Sequence, residues 1–207
     1  MQNKDIKEVV SSYYTKKHNE HGNSHWGVDW NSTESQEHRF LQLSKILPLD
    51  AEFSLMDYGC GYGALWPYLK NRGYQMSKFT GFDISTEMAA SAKNLYGADK
   101  KTDWVSEMTN INFDFLIASG VFNVKLDSEN ADWHQYIIET INEFNNIVSK
   151  GFSFNILTSY SDEEYRKDYL YYADPLLFFD YCKKHFSKNV ALLHDYDLYE
   201  FTILVRK

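Results

Sequence analysis

The stretch FSLMDYGCGYGALW, Phe53 to Trp66, decides how this chain folds. Its first five residues, Phe53 to Asp57, form a short run with the length and flanking turn signal of a buried strand. Gly59-Cys60-Gly61-Tyr62-Gly63 follows as a turn, and the spacing then predicts a helix to about Lys70. Glycines at a strand-to-helix junction permit positive φ and let the backbone come close to a ligand. The helix N-terminus beyond offers N–H groups without intrahelical partners. A second strand, Phe79 to Phe82, ends at Asp83, which lies 24 residues after Gly59. Neighbouring parallel strands bring their C-terminal ends side by side, so Asp83 can accept the hydroxyls of a ribose held over the turn.

Outward from that turn the same alternation repeats. Ser85 is placed to cap a helix carrying Met88, Ala92 and Leu95 on one face. Asp103 to Val105 and Phe113 to Ala118 read as the third and fourth strands. Ile137, Ile141, Phe144 and Val148 form one stripe of a helix over Ala131 to Lys150, with Gly151 placed to end it. Phe152 to Leu157 is the fifth strand. Ser161 with Glu164 has the pattern of a capping box, and Asp174-Pro175 reads as an N-cap followed by a first-position proline. Val190 to Leu193 and Phe201 to Val205 are separated only by His194 to Glu200. A parallel crossover needs about a dozen residues, so the last strand must run antiparallel. The pattern is α/β: five parallel units closed by a hairpin. Residues 1–50 precede the sheet and read as a helical cap or lid, and residues 51–207 as the main domain. Within the cap, Thr33 and Gln36 have capping-box spacing ahead of Phe40, Leu43 and Leu47, a helix that should end near Pro48.

Composition narrows the function. The chain has 207 residues, enough for one domain with a substantial core. Its formal charge of −8 disfavours a polyanionic partner, and the longest Lys/Arg run is two residues. Apolar runs are too short for a membrane span, and MQNKDIKEVV lacks a signal-peptide core. The expectation is a cytoplasmic protein with a small-molecule substrate and neither nucleic acid nor membrane as partner. Cys60 and Cys182 make no disulfide framework or zinc-ligand spacing. His18, His21 and His25 are irregularly spaced in a Gly/Asn-rich stretch and read as a solvated loop, so no metal is expected. The 16 Tyr, 14 Phe and 5 Trp exceed what the strands alone would use, and Tyr13-Tyr14, Trp26 and Trp30 fall in the presumed cap.

Gly59, Gly61 and Ala64 also satisfy the G-x-G-x-x-G/A dinucleotide fingerprint, which keeps a nicotinamide oxidoreductase as an alternative. Asp57 points elsewhere, because a carboxylate just before the glycines suits the ammonium and polar atoms of a cationic amino-acid cofactor better than a pyrophosphate. The N-terminal helical segment and the closing hairpin are likewise unexpected in a six-stranded dinucleotide fold. Asp57-x-Gly59-x-Gly61-x-Gly63 with Asp83 resembles the first two motifs of class I S-adenosylmethionine-dependent methyltransferases. The resemblance covers residues 50–207 and implies a Rossmann-like seven-stranded sheet of order 3-2-1-4-5-7-6 with helices on both faces. It implies S-adenosylmethionine as cofactor, with Gly59 and Gly61 along its methionine part, Asp83 on the ribose and Ile84 against the adenine. Glu107 and Met108 match the residues that face the adenine amino group and its apolar edge, although the family more often has Asp at the first of these.

A narrower likeness rests on Trp30-x-Ser32-x-x-Ser35-Gln36 with Arg39-Phe40, Ala118 to Asn123, Tyr171-Tyr172-x-Asp174-Pro175 and Leu193 to Tyr196. These resemble small methyltransferases encoded among bacterial surface-polysaccharide genes, which implies a sugar or similar glycan-modifying acceptor. A hydroxyl acceptor needs help losing its proton. His194, beside Asp195 at the rim, is a candidate base, with His134 a weaker one. Asn123, on the segment Ser119 to Asn123 that leaves strand four, is placed to orient the acceptor. Ser119 falls at the cofactor edge, and Arg39 has the planar fork to clamp a cofactor carboxylate. Against this enzyme reading stands a regulatory module that binds the cofactor without catalysis.

Overall fold

The structure, a computed structural model, describes residues 3–22, 24, 32–108 and 112–207. Two N-terminal helices come first, α1 (Asn3–His21) and α2 (Thr33–Ser44). Then follow β1 (Phe53–Tyr58), α3 (Leu65–Asn71), β2 (Met76–Phe82), α4 (Thr86–Tyr96), β3 (Thr102–Val105) and β4 (Phe113–Ala118). The C-terminal half supplies α5 (Asn130–Ile147), β5 (Val148–Leu157), α6 (Pro175–His185), β6 (Asn189–Leu193) and β7 (Glu200–Arg206). The strands form one sheet in the order β3-β2-β1-β4-β5-β7-β6. β7 pairs antiparallel with both β5 and β6, and the other neighbours are parallel. The fold expectation therefore holds in order and in strand sense.

Period-two alternation divides the core between the sheet's two faces. Phe53 and Leu55 of β1 join Phe79, Trp104 and Phe115 under Phe40 and Leu43 of α2 and Leu65 and Leu69 of α3. Met56 and Tyr58 face the other way, into a cluster with Ile137, Ile141 and Phe144 of α5 and Phe178 of α6. Ile6 and Val10 of α1 belong to this second cluster, so α1 and α2 do not lie together. α2 is a layer on the sheet, while α1 is tethered to the loop after β2. Ser11 Oγ donates to the Ile84 carbonyl at 3.2 Å, and Thr15 Oγ1 lies 2.8 Å from Ser85 Oγ and donates to Glu87.

Several boundaries move. The cap of α2 is Ser32, whose side chain accepts from Ser35 N–H, and not the Thr33/Gln36 box. α3 begins only at Leu65, so a turn intervenes between the glycines and the helix. α5 ends at Ile147 and Gly151 lies inside β5, paired with Phe115 and Arg206. Glycine is needed there because a Cβ would fall 2.3 Å from the Val205 carbonyl oxygen. Ser161 caps no α-helix; its hydroxyl donates to the Thr158 carbonyl beside a 3₁₀ turn, Glu163–Tyr165. Ser85 and Asp174 cap α4 and α6 as expected.

Candidate active site

A cleft of about 840 Å³, its open mouth included, lies over the C-terminal ends of β1, β2 and β4, the edge where ligands of open α/β sheets bind. The turn after β1 forms its floor. Gly59, Gly61 and Gly63 all have positive φ, at 76°, 53° and 86°. The N–H groups of Gly59 and Cys60 both donate to the Phe82 carbonyl, at 2.8 and 2.9 Å, which binds the turn to the end of β2. A Cβ on Gly59 would fall 2.2 Å from Val121 Cγ1, so the close approach of the loop after β4 requires glycine there.

Asp83 holds the same turn from the side. Its Oδ2 accepts the Gly61 N–H at 2.8 Å and its Oδ1 the Ser85 N–H at 2.9 Å. Burial pushes its pKa up to about 6, against the opposing pull of those two N–H groups. Asp57 is also buried. Burial, and then the charge of Asp83, hold its carboxyl well above the usual range. Ser119, Ile84 and Met88 line the cleft as well, and Ser119 Oγ is buried with no hydrogen-bond partner. The roof and side come from Val10 and Tyr14 of α1 and from Gln36 and Phe40 of α2; Tyr62 OH donates to Gln36 Oε1 at 3.1 Å. No Lys or Arg is among the described lining residues. Nor do the described residues contain a cluster of three His, Cys, Asp or Glu able to hold a metal. No helix among them is long and apolar enough to cross a membrane.

The comparisons with known proteins agree with this geometry. Residues 56–147 match the family described as methyltransferase domain. A Mycobacterium tuberculosis (strain ATCC 25618 / H37Rv) protein, Rv1506c, provisionally named a methyltransferase, is 49% identical over 156 residues, covering 75% of this chain and 93% of that one. The chain belongs to the class I S-adenosylmethionine-dependent methyltransferases. Solved structures of the same fold include the DhpI complex with SAM and HEP, 13% identical with a TM-score of 0.67 over 96% of this chain and 97% of that one. The magnesium protoporphyrin IX methyltransferase ChlM from Synechocystis PCC 6803, with bound SAH, is 11% identical with a TM-score of 0.66 over the whole of both chains. The N-methyltransferase NodS from Bradyrhizobium japonicum WM9, with SAH, is 12% identical with a TM-score of 0.62 over 96% of this chain and 98% of that one.

In this methyltransferase the cleft brings together Asp57, Gly59, Gly61, Asp83, Ile84 and Ser119 of the residues expected from sequence. It does not bring in the others. Arg39 is turned to Glu200 of β7, 2.8 Å from Nε to Oε1, and donates to the Ser35 carbonyl. Glu107 and Met108 are exposed beyond β3 and do not line the cleft. Asn123 is buried, but its Oδ1 accepts the Leu157 N–H at 3.1 Å, tying the loop after β4 to the end of β5. His194 is exposed, its ring against Tyr160 and Phe201. His134 Nδ1 lies 3.2 Å from the Tyr171 hydroxyl, away from the cleft lining. His25, Trp26 and Trp30 lie outside the described residues. Sequence reasoning missed Gln36, Tyr62, Met88 and Tyr136 as lining residues. Signals were available in Tyr62, which lies inside the glycine turn itself, and in Gln36 and Phe40, four apart on α2, since that spacing shares a helix face.

Proposed function

We propose that the cleft binds S-adenosylmethionine and that the chain transfers its methyl group to a hydroxyl of a small polar acceptor such as a sugar. One observation carries the cofactor reading: two buried carboxyls, Asp57 and Asp83, line a cleft whose described walls hold no cationic side chain. That arrangement attracts a sulfonium and an ammonium and repels a pyrophosphate. The unpartnered Ser119 hydroxyl adds a polar group awaiting a ligand. Gly59 and Gly61, with Asp57 and Ser119, would lie along the methionine part. Each Asp83 oxygen takes one backbone N–H and keeps acceptor capacity for a ribose hydroxyl. Ile84 and Met88 supply an apolar wall for the adenine.

When bound, the cofactor supplies an electrophilic methyl group. The chain's own contribution is alignment and exclusion of water, which can account for a large part of a displacement barrier. Tyr14 and Gln36 stand at the roof and side, where an acceptor would approach, and neither carries a formal charge, which suits an uncharged hydroxyl compound.

Titration calorimetry with S-adenosylhomocysteine and with NAD tests the cofactor half; binding of NAD alone would sink it. Transfer of label from methyl-labelled cofactor to a panel of sugars, amines and carboxylic acids tests the acceptor half. Label recovered only on amines or carboxylates would refute the hydroxyl assignment and leave the cofactor assignment intact.

A further inference from the structure

The packing between α2 and the sheet turns polar. On the α2 side, β5 and β7 carry Ser153, Asn155, Glu200 and Thr202, all buried, where the opposite face of the same strands is aromatic and aliphatic. Glu200 and Asn155 are fully buried and Arg39 is 8% exposed. Arg39 Nε donates to Glu200 Oε2 at 3.0 Å and lies 2.8 Å from Oε1. Burial holds the Glu200 carboxyl above its usual range, opposed first by Arg39 and then by the neighbouring Asn155 amide. Asn155 Nδ2 and Glu200 Oε1 are both buried without a hydrogen-bond partner, on the same face of adjacent strands where Asn155 pairs with Thr202 and Leu157 with Glu200. The other end of the Asn155 amide is committed, since Oδ1 accepts the Gly120 N–H at 2.7 Å. Gly120, between Ser119 and Val121, lines the cleft.

A buried ion pair is a poor way to gain stability, because well-packed apolar side chains of similar volume do as well or better. A charged pair can do what an apolar pair could not, which is to orient an amide. A carboxylate beside Asn155 attracts Nδ2 and repels Oδ1, which turns Oδ1 toward Gly120. We propose that Arg39, Glu200 and Asn155 form a buried relay that fixes the Ser119–Gly120 turn in the cleft, so that all three are positioning residues for methyl transfer. The functional part of this rests on the reading that the cleft holds S-adenosylmethionine. Arg39 thus acts on the cofactor site from behind, without touching the ligand.

The double variant Arg39→Met/Glu200→Leu keeps the seam filled and removes the charge that orients Asn155. In the cofactor-free protein, the Gly120 amide should exchange at least about tenfold faster than in wild type, as expected for a locally released turn. Affinity for S-adenosylhomocysteine should fall about tenfold, equivalent to about 1.4 kcal/mol, while the unfolding midpoint stays close to wild type. Unchanged exchange and unchanged affinity in a folded double variant would overturn the relay. Should that variant not fold, Asn155→Ala removes only the Gly120 acceptor and is read the same way, wild-type exchange and affinity again overturning the proposal. Failure of the wild-type protein to bind S-adenosylhomocysteine would refute the cofactor reading instead, and Gly120 exchange would still decide the relay.

Discussion

Lowering the pH from 8 to 5 perturbs the two buried carboxyls of the cleft and should weaken cofactor binding through them. Asp83, with its pKa raised to about 6 by burial, is half protonated at pH 6 in the free protein. A ligand whose ribose hydroxyls and positive charge favour the carboxylate must displace that proton. Linkage then gives a release of about half a proton at pH 6, about 0.9 at pH 5 and about 0.01 at pH 8. Integrated over the range, affinity should fall about tenfold from pH 8 to pH 5, or about 1.4 kcal/mol. Asp57 acts in the same direction, since its carboxyl is also raised. Calorimetric titration with S-adenosylhomocysteine in buffers of different ionisation heat measures the released protons directly. S-adenosylmethionine, with its added sulfonium, should release at least as many. Asp83→Asn should flatten much of the dependence. Saturable binding with pH-independent affinity and no proton release at pH 5 would refute the reasoning.

The same shift has a consequence for the free protein, with a definite sign. The folded pKa of Asp83 lies above the ordinary 3.8, so the fold binds the proton more tightly than the unfolded chain does. The stability this contributes is complete below about pH 4 and is lost as the pH rises through about 6. The upper bound, from a rise of the Asp83 pKa from 3.8 to about 6, is about 3 kcal/mol. Asp114, with N–H and hydroxyl bonds from Ser54 and an ion pair with Lys150, is held below its usual range, and its contribution is lost only in more acidic solution. The two effects occupy different windows, so the fall in unfolding midpoint between pH 4.5 and 7 should be smaller in Asp83→Asn.

Gly59→Ala should abolish measurable S-adenosylhomocysteine binding, because its Cβ would stand 2.2 Å from Val121 Cγ1 at a φ of 76°. Gly73→Ala, at φ 81° with nothing within 4 Å, should cost only the left-handed penalty of about 1–2 kcal/mol and leave affinity intact; equal effects of the two in calorimetry would contradict this. Asn123→Ala should cost about 1–3 kcal/mol in urea unfolding by orphaning the Leu157 N–H. Exposed His194→Ala should stay within about 0.5 kcal/mol and bind cofactor normally, and loss of cofactor affinity in His194→Ala would return that residue to the site. Amide exchange along α1 should slow when the cleft is saturated, since α1 is joined to the β2–α4 loop by Ser11 and Thr15 and roofs the cleft with Val10 and Tyr14. Unchanged protection at saturation would make α1 a fixed layer and not a lid.

What the sequence disclosed and what it concealed divide along a physical line. β4 could be read to the residue, and the closing hairpin followed from the few residues between its strands, because both depend on neighbours in the chain. Gly151 could not be read correctly, because its glycine answers to a Val205 carbonyl more than fifty residues away. The floor of the cleft was legible for the same local reason. Positive-φ glycines, a carboxylate before them and another at the end of the next strand are placed by two consecutive β/α units. Side-chain direction is another matter. Asn123 and His194 lie at the right edge of the sheet, yet a hydrogen bond to Leu157 takes one and packing on Tyr160 and Phe201 takes the other. Arg39 adjoins Phe40, which faces the cleft, but one residue is about 100° of helix rotation, enough to turn it onto Glu200. The roof and side of the cleft depend most on such distant choices. Val10 and Tyr14 reach the cleft from a helix more than thirty residues before β1; the aromatic pair Tyr13-Tyr14 marked that helix as part of a cap, but nothing in its local sequence said which of its residues would face the cleft. A motif therefore locates the floor of the cleft, whereas its roof and side are decided by packing between segments that share no motif.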